Sequence, residues 1–254
     1  MRNLPTKTPE TLSVSFCTAS MDRLHHVRQT LPQNIKDNAD YPSLEFVLLD
    51  YSSSDGLEEW VKASMREHIE SGLLVYARIS GRTEFGMAHS KNLSHRLAQG
   101  DVVCNVDADN FTGPGFAWFL NGLFGTAPHA LARAHPLNTA GRIALLKKYF
   151  IALGGYDESF TYGWGYDDTD MEYRAVKFGL EHVDISRHTE FLSHIEHGDS
   201  DRIGHSREKD KWKSNDMHRL ISEKNLQEGI YTANAGKKWG SGNVTVNFTE
   251  NRPL

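Results

Sequence analysis

Residues 12–17, Leu-Ser-Val-Ser-Phe-Cys, alternate apolar and polar positions, the period of a β-strand with one face buried. From about Asp22 the period changes: Leu24, Val27 and Leu31 recur at i, i+3 and i+7, which predicts a helix ended by Pro32. A second apolar run, Leu44 to Leu49, predicts a strand that stops at Asp50. The turn Ser52-Ser53-Ser54-Asp55-Gly56 follows, with Asp55 and Glu58 spaced as an N-cap and its capping-box partner. The helix behind them places Leu57, Trp60, Val61 and Met65 on one face and ends at Gly72. Leu73 to Ile79 predicts a third strand, and Ser80 to Ala88 a glycine-containing loop. A helix then runs through Leu93 and Leu97 to Gly100, and Val102 to Val106 predicts a fourth strand.

Strands and helices alternating at this short spacing imply an α/β fold, a mostly parallel central sheet flanked by helices. Ligands of such sheets bind at the carboxyl ends of the strands. Asp50 stands at one of these ends, Asp107 and Asp109 at another. Residues i and i+2 of an extended chain share a face, so the two carboxylates of Asp107-Ala108-Asp109 can converge. Hard oxygen donors of this kind suit Mg²⁺ or Mn²⁺, above all an ion whose other ligands are phosphates.

Beyond this point Gly113-Pro114-Gly115 opens a helix carrying Phe116, Phe119, Leu120 and Leu123. Residues 130–146 read as short strands, and Lys147 to Leu153 as a helix ended by Gly154-Gly155. Tyr156 to Tyr166 is an aromatic and glycine-rich loop, and Asp167 to Phe178 is a helix with Gly179 as its stop. In Gly163-Trp164-Gly165-Tyr166-Asp167-Asp168, two glycines flank a tryptophan, presenting an indole on a tight loop. The carboxylates behind it sit where the positive end of a helix dipole favours them. A helix cap with a core tryptophan is the plainer reading of that segment alone.

Composition narrows the function classes. With 254 residues, a net charge of −5 and a pI near 6.2, the chain has no global basic field, which argues against a nucleic-acid partner. No run is long enough for a membrane span, and Met1 to Lys7 has no apolar core of an export signal. Cys17 and Cys104 fall in strands and read as buried free thiols of a reducing compartment, so the expected location is cytoplasmic.

Gly154-Gly155-Tyr156-Asp157-Glu158 followed by Gly163-Trp164-Gly165-Tyr166-Asp167-Asp168-Thr169-Asp170-Met171-Glu172-Tyr173-Arg174 resembles the acceptor-side segment of GT-A-fold glycosyltransferases, of the β-1,4-galactosyltransferase and polypeptide GalNAc-transferase type. Asp50-Tyr51-Ser52-Ser53-Ser54-Asp55 and Asp107-Ala108-Asp109 resemble family-2 glycosyltransferases. The resemblance covers roughly residues 12–200. It implies a GT-A domain over 1–200, with a donor-binding half at about 12–110 and an acceptor half at about 111–200. From about Gly198 the chain turns polar, and its histidines and charged residues read as an ordered, surface-lying extension over 201–254 packed on the same domain.

The resemblance also implies roles. Thr18, Ala19 and Arg23 lie where the donor nucleotide is held, and Asp50 where the nucleoside, usually uridine, is contacted. Lys91 lies where related enzymes contact the donor, and can meet a phosphate or face solvent. Asp109 is the expected metal ligand, and Asp107 is directed to the ribose or the metal. His194-Ile195-Glu196-His197 matches the downstream metal-binding segment, with His197 the first choice and His194 the second. Asp168 matches the catalytic base, Asp167 holds acceptor hydroxyls, and Trp164, Gly165 and Tyr166 form the acceptor platform. Two positions depart from the pattern: Tyr51 replaces the usual Asn, and Asp167 stands where galactosyltransferases have Glu.

The expected function is therefore an inverting, divalent-metal-dependent transfer from a UDP-sugar to a carbohydrate hydroxyl. A nucleotidyltransferase would need a glycine-rich basic loop after the first strand, and Cys17-Thr18-Ala19-Ser20-Met21-Asp22 is not one. The remaining alternative is a catalytically inactive sugar- or nucleotide-binding protein of the same fold.

Overall fold

A computed structural model describes residues 11–135 and 138–254. The stretch Met1 to Lys7, read for an export signal, lies outside the described residues. The elements follow in order: β1 (Val14–Ser20), α1 (Leu24–Asp37), β2 (Leu44–Tyr51), α2 (Leu57–Ser64), α3 (Arg66–Glu70), β3 (Leu74–Ile79), α4 (Met87–Leu97) and β4 (Val102–Asn105). Then come α5 (Phe116–Thr126), β5 (Ala130–Arg133), β6 (Ile143–Leu146), α6 (Lys147–Ala152), α7 (Asp167–Phe178) and β7 (Glu181–Asp184). The C-terminal part adds α8 (Asp199–Ile203), α9 (Lys211–Gln227), β8 (Asn243–Val246) and β9 (Glu250–Pro253).

The strands form one sheet in the order β7-β5-β6-β4-β1-β2-β3-β8-β9. Its centre, β4-β1-β2-β3, is parallel throughout. Only β6 and β8 run against the others. Both faces are covered, which explains why β2 and β4 are near-continuous apolar runs rather than alternating ones. Phe46 and Leu48 pack in one core with Val27, Leu31 and Ile35 of α1 and Phe116, Leu120 and Phe124 of α5. Val47 and Leu49 point the other way, to Leu93 and Leu97 of α4, Phe150 of α6 and Met171 of α7.

Three local readings are corrected. Helix α1 does not stop at Pro32 but runs through it to Asp37. Beyond the proline, Asn34 donates to the Asn110 carbonyl (3.0 Å) and accepts from the Thr112 amide (2.8 Å), and Asn38 accepts from the Ala117 amide (2.8 Å). These buried bonds, with Ile35 in the core, offset the cost of an interior proline, about 3 kcal/mol. The capping box at α2 does not form: Asp55 caps the Leu24 amide of α1 at 2.7 Å, and Glu58 pairs with Lys62 and Arg78. The polar segment beyond Gly198 is not merely laid on the surface. Its β8 extends the sheet beside β3 and buries Val244 and Val246.

Among the described residues, no helix is long and apolar enough to cross a membrane, and Cys17 and Cys104 are buried free thiols.

Candidate active site

A pocket of about 330 Å³ opens at the carboxyl ends of β1 and β4. Its walls come from both halves of the chain, with Ala19, Arg23, Lys91, Asp107 and Asp109 facing Trp164, Gly165, Tyr166, Asp167, Asp168 and His197. Eleven of the residues singled out in the sequence thus meet in one cavity.

The Asp107–Asn110 segment is a turn closed by the Asn110 amide on the Asp107 carbonyl (2.9 Å), so the two carboxylates leave a bend rather than an extended strand end. Asp107 accepts from the Asn105 amide at 2.9 Å, and burial, followed by the neighbouring Asp109 and Asp168 charges, raises its pKa against the pull of Lys91. Asp109 lies 3.2 Å from Nε2 of His197. Burial alone would raise its pKa, but the hydrogen bond and charge of His197 outweigh that and hold it low. The same hydrogen bond raises the pKa of His197. Arg142, fully buried, fixes the turn by bonding Asn110 Oδ1 (3.2 Å) and the Phe191 carbonyl.

The donor set of Asp109, His197 and nearby Asp107 mixes hard carboxylates with one imidazole, which fits Mn²⁺ better than all-oxygen Mg²⁺. Buried carboxylates this close to one another also gain from a cation. The group is open: Asp107, Asp109 and His197 do not have all their ligand atoms within 4.8 Å of one another. His194 is turned aside, 2.8 Å from the Asn138 side chain, and is not part of the pocket wall.

Across the pocket, Tyr166 takes a left-handed conformation (φ 66°) as the N-cap of α7, leaving Asp167 and Asp168 in the first turn. Gly165 has φ 101°, and a Cβ there would stand 2.7 Å from Asn215 Oδ1, so the loop is seated against α9 in a way only glycine permits. Lys91 of α4 reaches over to donate to Asp167 (2.6 Å) and Asp168 (2.9 Å). Burial works against its charge, yet the two carboxylates outweigh burial and keep it protonated. The pKa of Asp168 is raised by burial and then by Asp167, with Lys91 and Arg133 acting against the rise. A carboxylate poised upward in this way is a better proton acceptor near neutral pH than an ordinary aspartate.

Two sequence-selected residues lie elsewhere. Thr18 bonds the Val106 carbonyl at 2.8 Å, tying β1 to β4 on the side away from the pocket. Asp50 is fully buried and accepts from the Ser53 amide (2.7 Å), Tyr76 (2.7 Å) and Arg78, so its carboxylate is engaged within the protein.

Several wall residues were not singled out. Arg133 bonds Glu172 (2.6 Å) and Thr169 (3.2 Å) of α7. Asp201, Arg202, His205, Trp212 and Asn215 all come from the C-terminal segment. Trp212 stands edge-on to Trp164 with ring centroids 6.1 Å apart and is 59% exposed. A tryptophan within the polar stretch Lys209-Asp210-Lys211-Trp212-Lys213 was the sequence signal for this wall.

A family model described as the N-terminal domain of galactosyltransferase matches residues 133–198, from Arg133 through α7 to just past His197. No curated protein matches the chain in sequence. Among solved structures, a mannosyltransferase from Pyrobaculum calidifontis in complex with GDP-Man and Mn²⁺ is similar, at TM-score 0.57 and 21% identity over 72% of this chain and 58% of that one. TarS of S. aureus (residues 1–349) in complex with UDP-GlcNAc is similar at TM-score 0.61 and 13% identity, over 85% of this chain and 67% of that one. GalNAc-T7 with UDP, GalNAc and Mn²⁺ is similar at TM-score 0.58 and 15% identity, over 69% of this chain and 42% of that one. The fold is that of these GT-A-type glycosyltransferases, and the galactosyltransferase segment falls on the α7 side of the pocket. The chain spans less than two thirds of the mannosyltransferase and GalNAc-T7 chains.

Proposed function

We propose that the chain catalyses inverting, divalent-metal-dependent transfer of a sugar from a nucleotide diphosphate sugar, a UDP-sugar, to a hydroxyl of a glycan or similar acceptor. The observation that carries this reading is a single pocket lined both by the Asp109–His197 pair and by the Asp167–Asp168 pair at the start of α7. The UDP and UDP-GlcNAc in the related complexes favour uridine, while the GDP-Man of the mannosyltransferase leaves the base to be measured.

Asp109 and His197 would hold the ion, with Asp107 toward the ribose or the ion. A bound divalent ion supplies charge neutralisation for the diphosphate leaving group. The chain's own residues do the rest. Asp168 takes the proton from the attacking hydroxyl, which contributes typically about 10²–10⁴-fold. Lys91 orients both carboxylates and keeps Asp168 from being too weak an acid to ionise. Asp167 bonds acceptor hydroxyls, and Trp164 offers an aromatic face to the C–H face of a sugar ring. A single base opposite the leaving group gives direct displacement, hence inversion.

One observation favours a second reading. Lys91 occupies both carboxylates, as it would in a binding protein that retains the site without turnover. Calorimetry with UDP, with and without Mn²⁺, tests the donor site, and Asp168→Asn tests the base. The expected result is metal-dependent UDP binding in both proteins and loss of turnover in the variant alone. Normal turnover by Asp168→Asn removes Asp168 as the base. Binding of UDP without turnover of any nucleotide sugar by the unaltered chain establishes the second reading.

A further inference from the structure

We propose a second metal site, for a zinc-class divalent ion, formed by His135, Glu172 and His182, which adjoin Arg133 and are not part of the pocket wall. These residues come from three segments: His135 just beyond β5, Glu172 from α7, and His182 from β7. Strands β5 and β7 pair in parallel with Leu131 opposite His182 and Arg133 opposite Asp184. Residues 131, 133 and 135 alternate onto one face, the face against which α7 packs, so the register itself brings the two imidazoles and the glutamate together.

The three ligand atoms all lie within 4.8 Å of one another. His182 Nδ1 stands 3.8 Å from Glu172 Oε1. That is too long for a hydrogen bond but close to the about 3.4 Å that separates two ligands of a tetrahedral ion at zinc–ligand distances of roughly 2.0–2.1 Å. The two imidazole rings lie edge to face with centroids 5.2 Å apart.

Nδ1 of His182 faces Glu172 beyond hydrogen-bond distance and Nε2 is buried with no hydrogen-bond partner, so neither ring nitrogen is committed to an internal bond that an ion at Nδ1 would have to displace. The carboxylate, by contrast, is fixed: Arg133 Nη1 holds Glu172 Oε2 at 2.6 Å and leaves Oε1 directed to the histidines. Orientation of a ligand carboxylate by a hydrogen-bonded partner is what an organised metal site requires. Two imidazoles and one carboxylate leave a fourth position open, and Asp184, two residues from His182 on the same strand, lies within electrostatic reach of both histidines. The imidazole-rich set separates this site from Asp109–His197, since nitrogen ligands select zinc, cobalt or nickel over magnesium. This assignment is independent of the transferase reading, because none of the three residues is given a role in transfer.

The test uses Zn²⁺ and Co²⁺ alone, without nucleotide, on the full chain carrying Asp109→Ala and His197→Ala to silence the pocket site. One equivalent of Zn²⁺ by calorimetry, and visible bands of tetrahedral cobalt with Co²⁺, are expected. Adding His135→Ala, an exposed position, should remove that equivalent and the cobalt bands while the far-UV circular dichroism stays unchanged. His182→Gln should do the same. The proposal is overturned if no equivalent binds in the silenced background, or if binding and spectrum survive His135→Ala.

Discussion

The ammonium of Lys91 lies 2.9 Å from Oδ1 of Asp168, joining α4 to the first turn of α7. Lys91 Nζ also stands 5.0 Å from the Tyr156 ring, so it is held from three sides in a buried position. The lysine therefore sets both the geometry and the acidity of the proposed base.

That relation fixes the sign of a pH effect. Asp168 must be ionised to act as a base, so activity falls as pH drops through its raised pKa. Lys91 opposes that rise. Lys91→Met removes the opposition and leaves Asp167 and Asp168 as an uncompensated pair, pushing the pKa of Asp168 further up. The acidic limb of the kcat profile should move to higher pH, with kcat at neutral pH reduced by about tenfold or more. An unshifted limb would show that Lys91 does not tune this group.

The two indoles at the rim make a different kind of prediction. Trp212 is exposed, faces Trp164, and has Lys211 Nζ 5.0 Å from its ring. Exposed aromatic surface beside a polar pocket marks a place where a ligand is received. Trp212→Ala should raise KM for the acceptor by about tenfold, the factor that 1.4 kcal/mol provides, and leave acceptor-independent donor hydrolysis unchanged. Steady-state kinetics with and without acceptor separates the two. An equal loss in both would place Trp212 in the support of the donor site instead.

How far the sequence carried depends on whether a residue's role is local. Helix α7 was legible to its last residue, because its acidic first turn and the left-handed Gly179 (φ 105°) are local signals. Strands β2 and β4 were legible because burial on both faces leaves near-continuous apolar runs, and β1 because its start alternates apolar and polar residues. Pro32 was misread because its helix is continued by Asn34 and Asn38, whose partners lie more than 70 positions away. Strand β8 was missed because four residues, Asn-Val-Thr-Val, carry little pattern until β3 supplies the edge they pair with. In the site, Asp109 and His197 could be chosen because they match a recognisable pattern. Asp201, His205 and Arg133 could not, since only the folded chain places them on the wall. Asp50 shows the converse: a strand-end carboxylate can be consumed by its neighbours, here Tyr76 and Arg78.

A stability prediction follows from the other half of the acidic segment. Asp170 and Arg174 form a buried pair at 2.7 Å, and Arg174 also donates to the carbonyls of Leu153 and Gly155 at 3.0 Å each. Ser222 of α9 donates to the second oxygen of Asp170 at 2.8 Å. Arg174→Met leaves a buried carboxylate and two carbonyls without their donor, a loss of about 3–5 kcal/mol. For a chain of this size that lowers Tm by about 10 °C. Asp170→Asn with Arg174→Met should cost less than the two single changes summed, because the uncompensated charge is gone. Additive losses in a thermal-unfolding cycle would show that the pair does not act as a unit.

Gly141 allows the Asp107–Asn110 turn to be disturbed without substituting a carboxylate. A Cβ on Gly141 would stand 2.5 Å from Asp107 Oδ2 and 3.2 Å from its Cγ, while the Gly141 carbonyl accepts from Asn105 Nδ2 at 2.9 Å. Gly141→Ala therefore has to displace the Asp107 side chain, since the backbone on its other side is held by the bond to Asn105. The three atoms nearest the added methyl all belong to Asp107, so the displacement falls on that side chain first and the Asp109–His197 pairing is expected to stay. If Asp107 serves the ribose, UDP affinity should fall by about tenfold while Mn²⁺ binding in the absence of nucleotide is retained. If Asp107 is instead a direct metal ligand, Mn²⁺ affinity should fall along with UDP affinity. Calorimetry of Mn²⁺ alone and of UDP with saturating Mn²⁺ separates these outcomes, with Tm as the control for folding. Unchanged affinity for both would mean that Asp107 contacts neither, and that its buried carboxylate serves the Asn105 bond and the local turn alone.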